Sequence, residues 1–365
     1  MYNSSLKILS LIEKAGFKAY IVGGFPRDLY LKRNSADVDI CTNATPKDLK
    51  AIFKDSMLPK EQYGSVTVIY NKIHFEITTF RKDIKYENNR LPVKIKYIDS
   101  LYEDLGRRDF IINTLCIDSS GNMIDLLNAK EDLDNKIIRT VGPARTKISE
   151  DALRILRAIR FATILNFSLD EELKKSIKKN ANLLKKLSYH RKKEELDKIF
   201  SSMNASYGIS LILELGLDTP LELNNLKEVV VTSNSIGIWA QLDVLDKYEF
   251  TNSEKELIKN INAFRKNYSF DNYILYKSDL YIASMAAEIN HMDKKVITRK
   301  YMSLPIKNIK DIKINGDEIC KVLNIKPSRI IKDILHDLEK EIIYNRLENE
   351  YDEIVKYIKN KYQEK

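Results

Sequence analysis

Tyr20–Ile40 reads YIVGGFPRDLYLKRNSADVDI, in the order strand, glycine turn, short helix, strand. Tyr20, Ile21 and Val22 form a short apolar, β-prone run that Gly23-Gly24 ends. Glycine lets the backbone take φ/ψ values closed to other residues and come close to a ligand. Pro26 suits a first helical turn, where its missing N–H is not needed. The free N–H groups and positive dipole end of such a helix suit a phosphate, and Arg27 adds a permanent forked cation. The next strand carries Asp37-Val38-Asp39. Residues i and i+2 of a strand share a face, so both carboxylates are expected in one site, where they repel unless a cation lies between them. The stretch therefore predicts a nucleoside triphosphate on the glycine turn and a divalent metal on the aspartates, the equipment of phosphoryl or nucleotidyl transfer. A Gly-Gly pair alone is an ordinary turn and an Asp-x-Asp alone an ordinary solvated strand end; the order GGxxRD followed by DxD carries the inference.

Composition sets the bounds. The chain has 365 residues, 44% of them hydrophobic, enough for several packed domains. Its net charge of +9 favours a polyanionic partner or an anionic membrane surface. No apolar run approaches the ~20 residues of a membrane span. The N-terminal segment reads as a structural helix over Ser5–Ala15 closed by Gly16, not as a signal peptide. Cys41, Cys116 and Cys320 are odd in number and scattered, which points to reduced thiols and a cytoplasmic protein. Nothing in the sequence calls for an obligate protein partner.

Beyond the first stretch, Thr45-Pro46 is expected to open a helix through Phe53, with Thr45 as its N-cap. Ser65–Tyr70 and Ile73–Thr79 alternate and are joined by Asn71-Lys72, a β-hairpin. On the second strand Glu76 is either a third carboxylate near the metal or an outward-facing strand residue, and His74 reads as structural. Residues 82–102 are polar, charged and broken by Pro92, a long loop of the kind that carries function. Asp104–Asp118, DLGRRDFIINTLCID, places Arg107, Arg108 and Asp109 at the opening of a short helix. Adjacent arginines there can neutralise charge that develops during transfer, and Asn113 can hydrogen-bond phosphate or ribose. A strand at 123–126 and another at 136–140 are expected to complete the sheet. Glu150–Phe161, EDALRILRAIRF, reads as one helix with Ser149 as N-cap, placing Asp151, Arg154 and Arg157 on one face. The remainder reads as helix, ending in one amphipathic pattern over 330–358. Tyr268, Tyr273, Tyr276 and Lys277 interleave in a way that serves either RNA stacking or ordinary core and surface packing, the second being favoured. His336-Asp337 could mark a metal phosphohydrolase, but the chain has only four histidines, spread widely.

The GGxxRD and DxD pair, RRDFIIN, and EDALR together resemble the class II tRNA nucleotidyltransferase (CCA-adding enzyme) and bacterial poly(A) polymerase family. The resemblance covers Gly23 to Glu195. It departs from the family's RRDFTxNA pattern at Ile111 and Thr114, and in the neck motif SYHRKKEELDKIF at His190 and Lys192. It implies an α/β nucleotidyltransferase head with a small mixed sheet over 1–140. An all-α neck would follow over 141–205, and a helical, tRNA-binding body and tail over 206–365. It implies CCA addition to the tRNA 3′ end from CTP and ATP, without a nucleic-acid template. Asp37 and Asp39 would be catalytic and hold magnesium (Mg2+). Gly23, Gly24, Arg27, Arg108, Asp109, Asn113 and Arg157 would bind nucleotide, with Asp151 and Arg154 pairing with the incoming base. Asp125 matches a short DL motif. The 82–102 loop, with Asn89-Arg90-Leu91-Pro92, would help the switch to adding A, and the basic helical part would bind the acceptor and TΨC arms. Two enzyme alternatives share the head, an A-adding enzyme and a poly(A) polymerase, although no string like GRRFxLxHV occurs here. A catalytically silent RNA-binding protein is the alternative outside enzymes, and the intact Arg27, Asp37 and Asp39 weigh against it.

Overall fold

The computed structural model describes residues 1–35, 37–54, 57–58, 64–86, 92–266 and 270–362. Asn89, Arg90, Leu91 and Tyr268 lie outside the described residues. The chain divides into two compact units: Met1–Lys227 with Lys247–Glu249, and Glu228–Asp246 with Phe250–Lys365.

The first unit opens with α1 (Tyr2–Lys14), whose Ile8, Leu9 and Ile12 are buried. Then come β1 (Ala19–Val22), α2 (Gly24–Tyr30), β2 (Asp39–Thr42) and α3 (Pro46–Phe53). Thr45 caps α3 as its side chain implies. Its hydroxyl accepts from Asp48 N, and the Asp48 carboxylate accepts from Thr45 N at 2.9 Å, a reciprocal capping box. β3 (Met57–Leu58), β4 (Ser65–Tyr70) and β5 (Ile73–Thr79) follow. The β4–β5 turn is tight because Asn71 and Lys72 both take positive φ, 50° and 64°, which matches the twist of the paired strands. β8 (Cys116–Ile117) and β9 (Met123–Ile124) finish a seven-stranded sheet of order β3-β4-β5-β2-β1-β8-β9. It is mixed: β2 and β5 run parallel, while every other pair is antiparallel.

Two expectations about this region change. Residues 82–102 are not one loop: β6 (Arg81–Tyr86) and β7 (Pro92–Tyr97) form an antiparallel ribbon, and α4 (Leu101–Gly106) starts behind it. The sequence hides the ribbon because exposed Lys82, Ile84, Lys96 and Tyr97 erase the alternation that a half-buried strand shows. Nor does 136–140 join the main sheet. After α5 (Ala129–Asp134), β10 (Ile137–Ile138) pairs in parallel with β11 (Ser168–Leu169), beyond α6 (Ala144–Glu150) and α7 (Leu153–Leu165). The unit continues with α8 (Glu171–Asn180), α9 (Tyr189–Phe200), α10 (Ala205–Glu214) and α11 (Asp218–Leu221).

Strand alternation sorts the sheet into two faces. Ile21, Ile40 and Ile77 lie in one row and pack with Ile8, Leu9 and Phe75. Val22, Cys41, Cys116, Phe80 and Leu105 form a smaller cluster of their own. Fully burying side chains such as Phe80 or Ile40 contributes ~1.5–3 kcal/mol each.

The second unit is helical: α12 (Ser235–Trp239), α13 (Asn252–Lys266), α14 (Asn272–Lys277), α15 (Leu280–Ile289), α16 (Lys294–Met302), α17 (Gly316–Leu323), α18 (Arg329–Ile343) and α19 (Tyr351–Tyr362). The terminal amphipathic pattern is thus two helices, separated where Asn345 turns to φ 55°. His336 bonds Glu339 at 3.1 Å, and Asp337 accepts from Tyr357, Tyr362 and Lys361 at 2.8–2.9 Å, so this dipeptide links helices. Tyr276 is buried with its hydroxyl 2.6 Å from Glu339, and Tyr273 stacks near Tyr344, the packing role favoured above. Among the described residues no helix is long and apolar enough to cross a membrane.

Candidate active site

Val22, Asp39 and Glu76 are register partners across β1, β2 and β5. Glu76 is exposed, and Asp39 stands between it and an apolar neighbour. Asp37 precedes β2 rather than lying in it, yet it lines two clefts together with Asp39, so the two carboxylates do meet. Gly23 caps α2 with φ 82°, and a Cβ on it would sit 3.0 Å from Asp39 Oδ2. Glycine is required there both by the backbone angle and by the carboxylate against it. α2 has only seven residues, so the positive charge at the turn comes chiefly from side chains.

A cleft of about 340 Å³ gathers the expected nucleotide- and metal-binding residues except Asp151 and Arg154, while Arg107 and Glu76 line a neighbouring cleft. Gly23, Gly24, Arg27, Asp37, Asp39, Arg108, Asp109, Asn113 and Arg157 all line it. The cationic wall is built as a relay. Arg27 Nη1 donates to Asn113 Oδ1 at 2.8 Å, Asn113 Nδ2 to Asp109 Oδ1 at 3.3 Å, and Arg157 Nε to Asp109 Oδ2 at 2.7 Å. Asp28 holds the other edge of Arg27 at 2.9 Å. Arg108 leans on the fully buried Asp104 at 3.2 Å, and among the described residues its buried Nε has no hydrogen-bond partner. Its guanidinium lines the cleft and fits an anionic ligand there.

Asp28, the last residue of GGxxRD, also lines this cleft, together with Ser35, Arg160 and Phe161, which sequence reasoning missed. The guanidinium groups of Arg27, Arg157 and Arg160 lie 5.3, 5.4 and 4.4 Å from the Phe161 ring centre. Three like charges thus share a single aromatic ring. Arg160 also pairs with Glu195 of α9 at 3.2 Å. The signal was present for Arg160, which follows Arg154 and Arg157 at the same helical spacing.

Electrostatics follow the layout. Burial raises the Asp39 carboxyl, Glu76 and Asp37 raise it further, and only Arg108 opposes them. Such a carboxylate is stabilised by an added cation. Burial would also raise Asp109, but the Arg157 charge and hydrogen bond, the Phe110 N–H and Asn113 together bring it down to about 2. Among the described residues no group of three or more His, Cys, Asp or Glu has the arrangement of an all-protein metal cage.

The Glu150–Phe161 stretch departs from expectation. It is not one helix: α6 ends at Glu150, Asp151 is extended (φ −143°, ψ 110°), and α7 starts at Leu153. Ser149 lies inside α6 and caps nothing at an N-terminus. Asp151 Oδ1 accepts from Leu153 N at 2.9 Å. Arg154 is buried and reaches back to Glu150 Oε2 at 2.6 Å, Lys147 O at 2.8 Å and Arg107 O at 3.3 Å. Similarly, Arg107 caps the end of α4 instead of opening a helix. Asp125 accepts from Ala129 N and Lys130 N at the start of α5.

Residues 19–139 match the Poly A polymerase head domain, 166–224 the RNA- and SrmB-binding site of polymerase A, and 237–358 tRNA nucleotidyltransferase domain 2. The CCA-adding enzyme of Geobacillus sp. (strain WCH70) is 33% identical over 389 residues, covering 98% of this chain and 96% of that protein. That of Ligilactobacillus salivarius (strain UCC118) is 33% identical over 394 residues, covering 100% and 98%. The crystal structure of the Bacillus stearothermophilus CCA-adding enzyme in complex with CTP superposes with a TM-score of 0.83 at 28% identity, covering 98% of this chain and 97% of that one. With kinship of 33% identity over its length to curated CCA-adding enzymes, the chain belongs to the class II CCA-adding enzyme family of tRNA nucleotidyltransferases.

Proposed function

We propose that the chain adds the 3′-terminal CCA to tRNA from CTP and ATP by metal-dependent nucleotidyl transfer without a template, releasing pyrophosphate. The observation that carries this reading is the single cleft in which Asp37 and Asp39 face Arg27, Arg108, Asn113 and Arg157 across the Gly23 turn. Mg2+ held by Asp37 and Asp39 would supply the Lewis acid that readies the tRNA 3′-hydroxyl and steadies the triphosphate. Arg27, cross-braced by Asn113 and Asp28, and Arg108, anchored on Asp104, hold the phosphates in line with that hydroxyl. Asp109 and Asn113 face the ribose side, with Arg157 fixing Asp109. Asp151 and Arg154 read the base once nucleotide is present; Asp151 already has Arg191, Arg154 and Arg157 close enough to counter the upward push of burial on its carboxyl. Head, neck and body are assigned to 1–140, 141–205 and 206–365, with the body and tail on the acceptor and TΨC arms. Three free cysteines, two of them buried, fit a cytoplasmic setting.

The test uses tRNA transcripts ending before CCA, after C and after CC, each with magnesium and labelled CTP or ATP. Growth of the first to full CCA is expected. Extension of the CC-ended transcript alone would mean A addition, long A tails on unrelated RNA a poly(A) polymerase, and no extension a silent binding protein. Asp37→Ala should abolish all addition; an Asp37→Ala protein that incorporated CTP at the parent rate would overturn the assignment.

A further inference from the structure

Asp39 lines three clefts, and only one holds the glycine turn. In-line displacement requires the attacking oxygen to approach the α-phosphorus from the side opposite the departing pyrophosphate. The RNA 3′ end is therefore placed on the side of Asp39 away from the triphosphate, where two further clefts among the described residues meet it. One, about 400 Å³, gathers Asp37, Asp39 and Glu76 with Met1, Thr67 and His74, and among the described residues no arginine or lysine side chain lines it. The other, about 320 Å³, is lined by Arg81, Arg107 and Arg108 as well as Asp39 and Glu76, with the hydroxyls of Ser65 and Thr78, which sit 2.9 Å apart. Asp39 and Glu76 line both clefts; the first adds a third carboxylate and the second adds three guanidinium groups that outnumber the shared pair, so a phosphodiester chain is favoured in the second.

We infer that the Arg81–Arg107 cleft is the subsite for the phosphodiester backbone of the acceptor RNA's 3′-terminal nucleotides. Asp104 is its organiser. Fully buried at the end of α4, it takes Arg107 Nε at 2.8 Å, Arg108 Nη2 at 3.2 Å and the Arg81 backbone N–H at 3.1 Å. One carboxylate thus sends Arg108 to the boundary shared with the triphosphate cleft and Arg107 into the other, and ties both to the first residue of the β6–β7 ribbon. Arg107 is a binding residue for RNA in this assignment and Asp104 a positioning residue. The assignment rests on the nucleotidyl-transfer reading above, because it takes the glycine-turn cleft as the triphosphate site.

The experiment compares wild type, Arg107→Ala and Ser65→Asp. It measures the KM for a tRNA transcript ending before CCA, the dissociation constant of the same transcript by filter binding, and the dissociation constant of labelled CTP by equilibrium dialysis. Both variants should raise the RNA KM and dissociation constant about tenfold to a hundredfold and leave CTP binding within about twofold. Arg107→Ala should also flatten the slope of log K against log salt by about 0.7, the share of one single-stranded phosphate contact. Ser65→Asp adds a negative charge while keeping the Arg107–Asp104 pair, so it reads the cleft even where Arg107→Ala fails to fold. RNA binding unchanged in Ser65→Asp, or CTP binding weakened in parallel with RNA binding, would overturn the subsite. Wild type that binds CTP and RNA yet joins nothing would instead overturn the proposed reaction, and filter binding would still decide the subsite.

Discussion

At the scale of single residues, Asp109 shows how the site stores its order. The carboxylate accepts from Arg157, Asn113 and its neighbour's backbone N–H, and it is held down to about 2 against burial. A depressed carboxyl adds stability that is fully present above its unfolded value of 3.8 and is lost as pH falls through about 2. The shift corresponds to about 2 kcal/mol. Asp109→Asn should therefore weaken the head by about 2 kcal/mol near neutral pH, with the gap to wild type closing as pH drops below about 4. Hydrogen exchange of the β1 and β2 amides is the measurement, because the only tryptophan, Trp239, belongs to the other unit. A gap of constant size across the acid range would mean that the Asp109 charge is not what matters. Asp39 behaves in the opposite sense: its neighbours Glu76 and Asp37 oppose its charge. Asp39→Asn should abolish addition and, without metal, leave melting unchanged or slightly raised, by less than ~1 kcal/mol because the cleft side is open to solvent. A marked loss of stability in Asp39→Asn would argue that Asp39 is structural.

At the scale of elements, what the sequence made legible was local and what it concealed was tertiary. The Thr45 capping box and the Asn71-Lys72 turn each rest on atoms within four residues, and both stand where their side-chain chemistry puts them. Thr45→Ala should cost about 1 kcal/mol, seen as faster exchange of the α3 amides. The break between α6 and α7 has one local mark, Asp151, whose carboxylate accepts from Leu153 N, but the rest of EDALRILRAIRF is rich in helix-forming residues and hides it. It exists because Arg154 reaches back to α6 and across to the Arg107 carbonyl, contacts that only the folded chain provides. The β6–β7 ribbon was hidden for another reason. Ile84 and Tyr97 are exposed, and a strand pair wetted on both faces leaves no apolar rhythm to read. Its base is nevertheless fixed, by Ile98 N on Phe80 O at 3.1 Å and by Arg81 N on Asp104. Replacing 83–95 with a short glycine linker keeps that base and removes the ribbon's reach. The expected result is normal extension of the first transcript by CC and at least about a tenfold loss in addition of the final A, an effect of ~1.4 kcal/mol on the barrier. Equal loss of all three additions would make the ribbon a general support and not a part of the C-to-A switch.

At the scale of the molecule, the head was the readable half because its motifs are chemical: glycines, paired carboxylates and arginines that a fold has few other reasons to combine. The second unit was readable only as helix. Its core is Ile, Leu, Phe and Ala at helical spacing, a pattern that fixes packing and says nothing about a partner. Net charge is the one whole-chain quantity that speaks to one. An enzyme that must hold tRNA while its 3′ end grows needs grip that does not depend on base sequence, and phosphate contacts supply it. Neutralising about five phosphates of a duplex arm gives a slope near −4.5 in log K against log salt. Affinity for a tRNA transcript should then fall by about 500-fold between roughly 50 and 200 mM salt, while CTP affinity, set by two or three arginines at a single triphosphate, falls far less. Filter binding of transcript and dialysis of CTP across the same salt series separate the two. A tRNA slope no steeper than the CTP slope would leave the basic helices without their role and confine RNA recognition to the head.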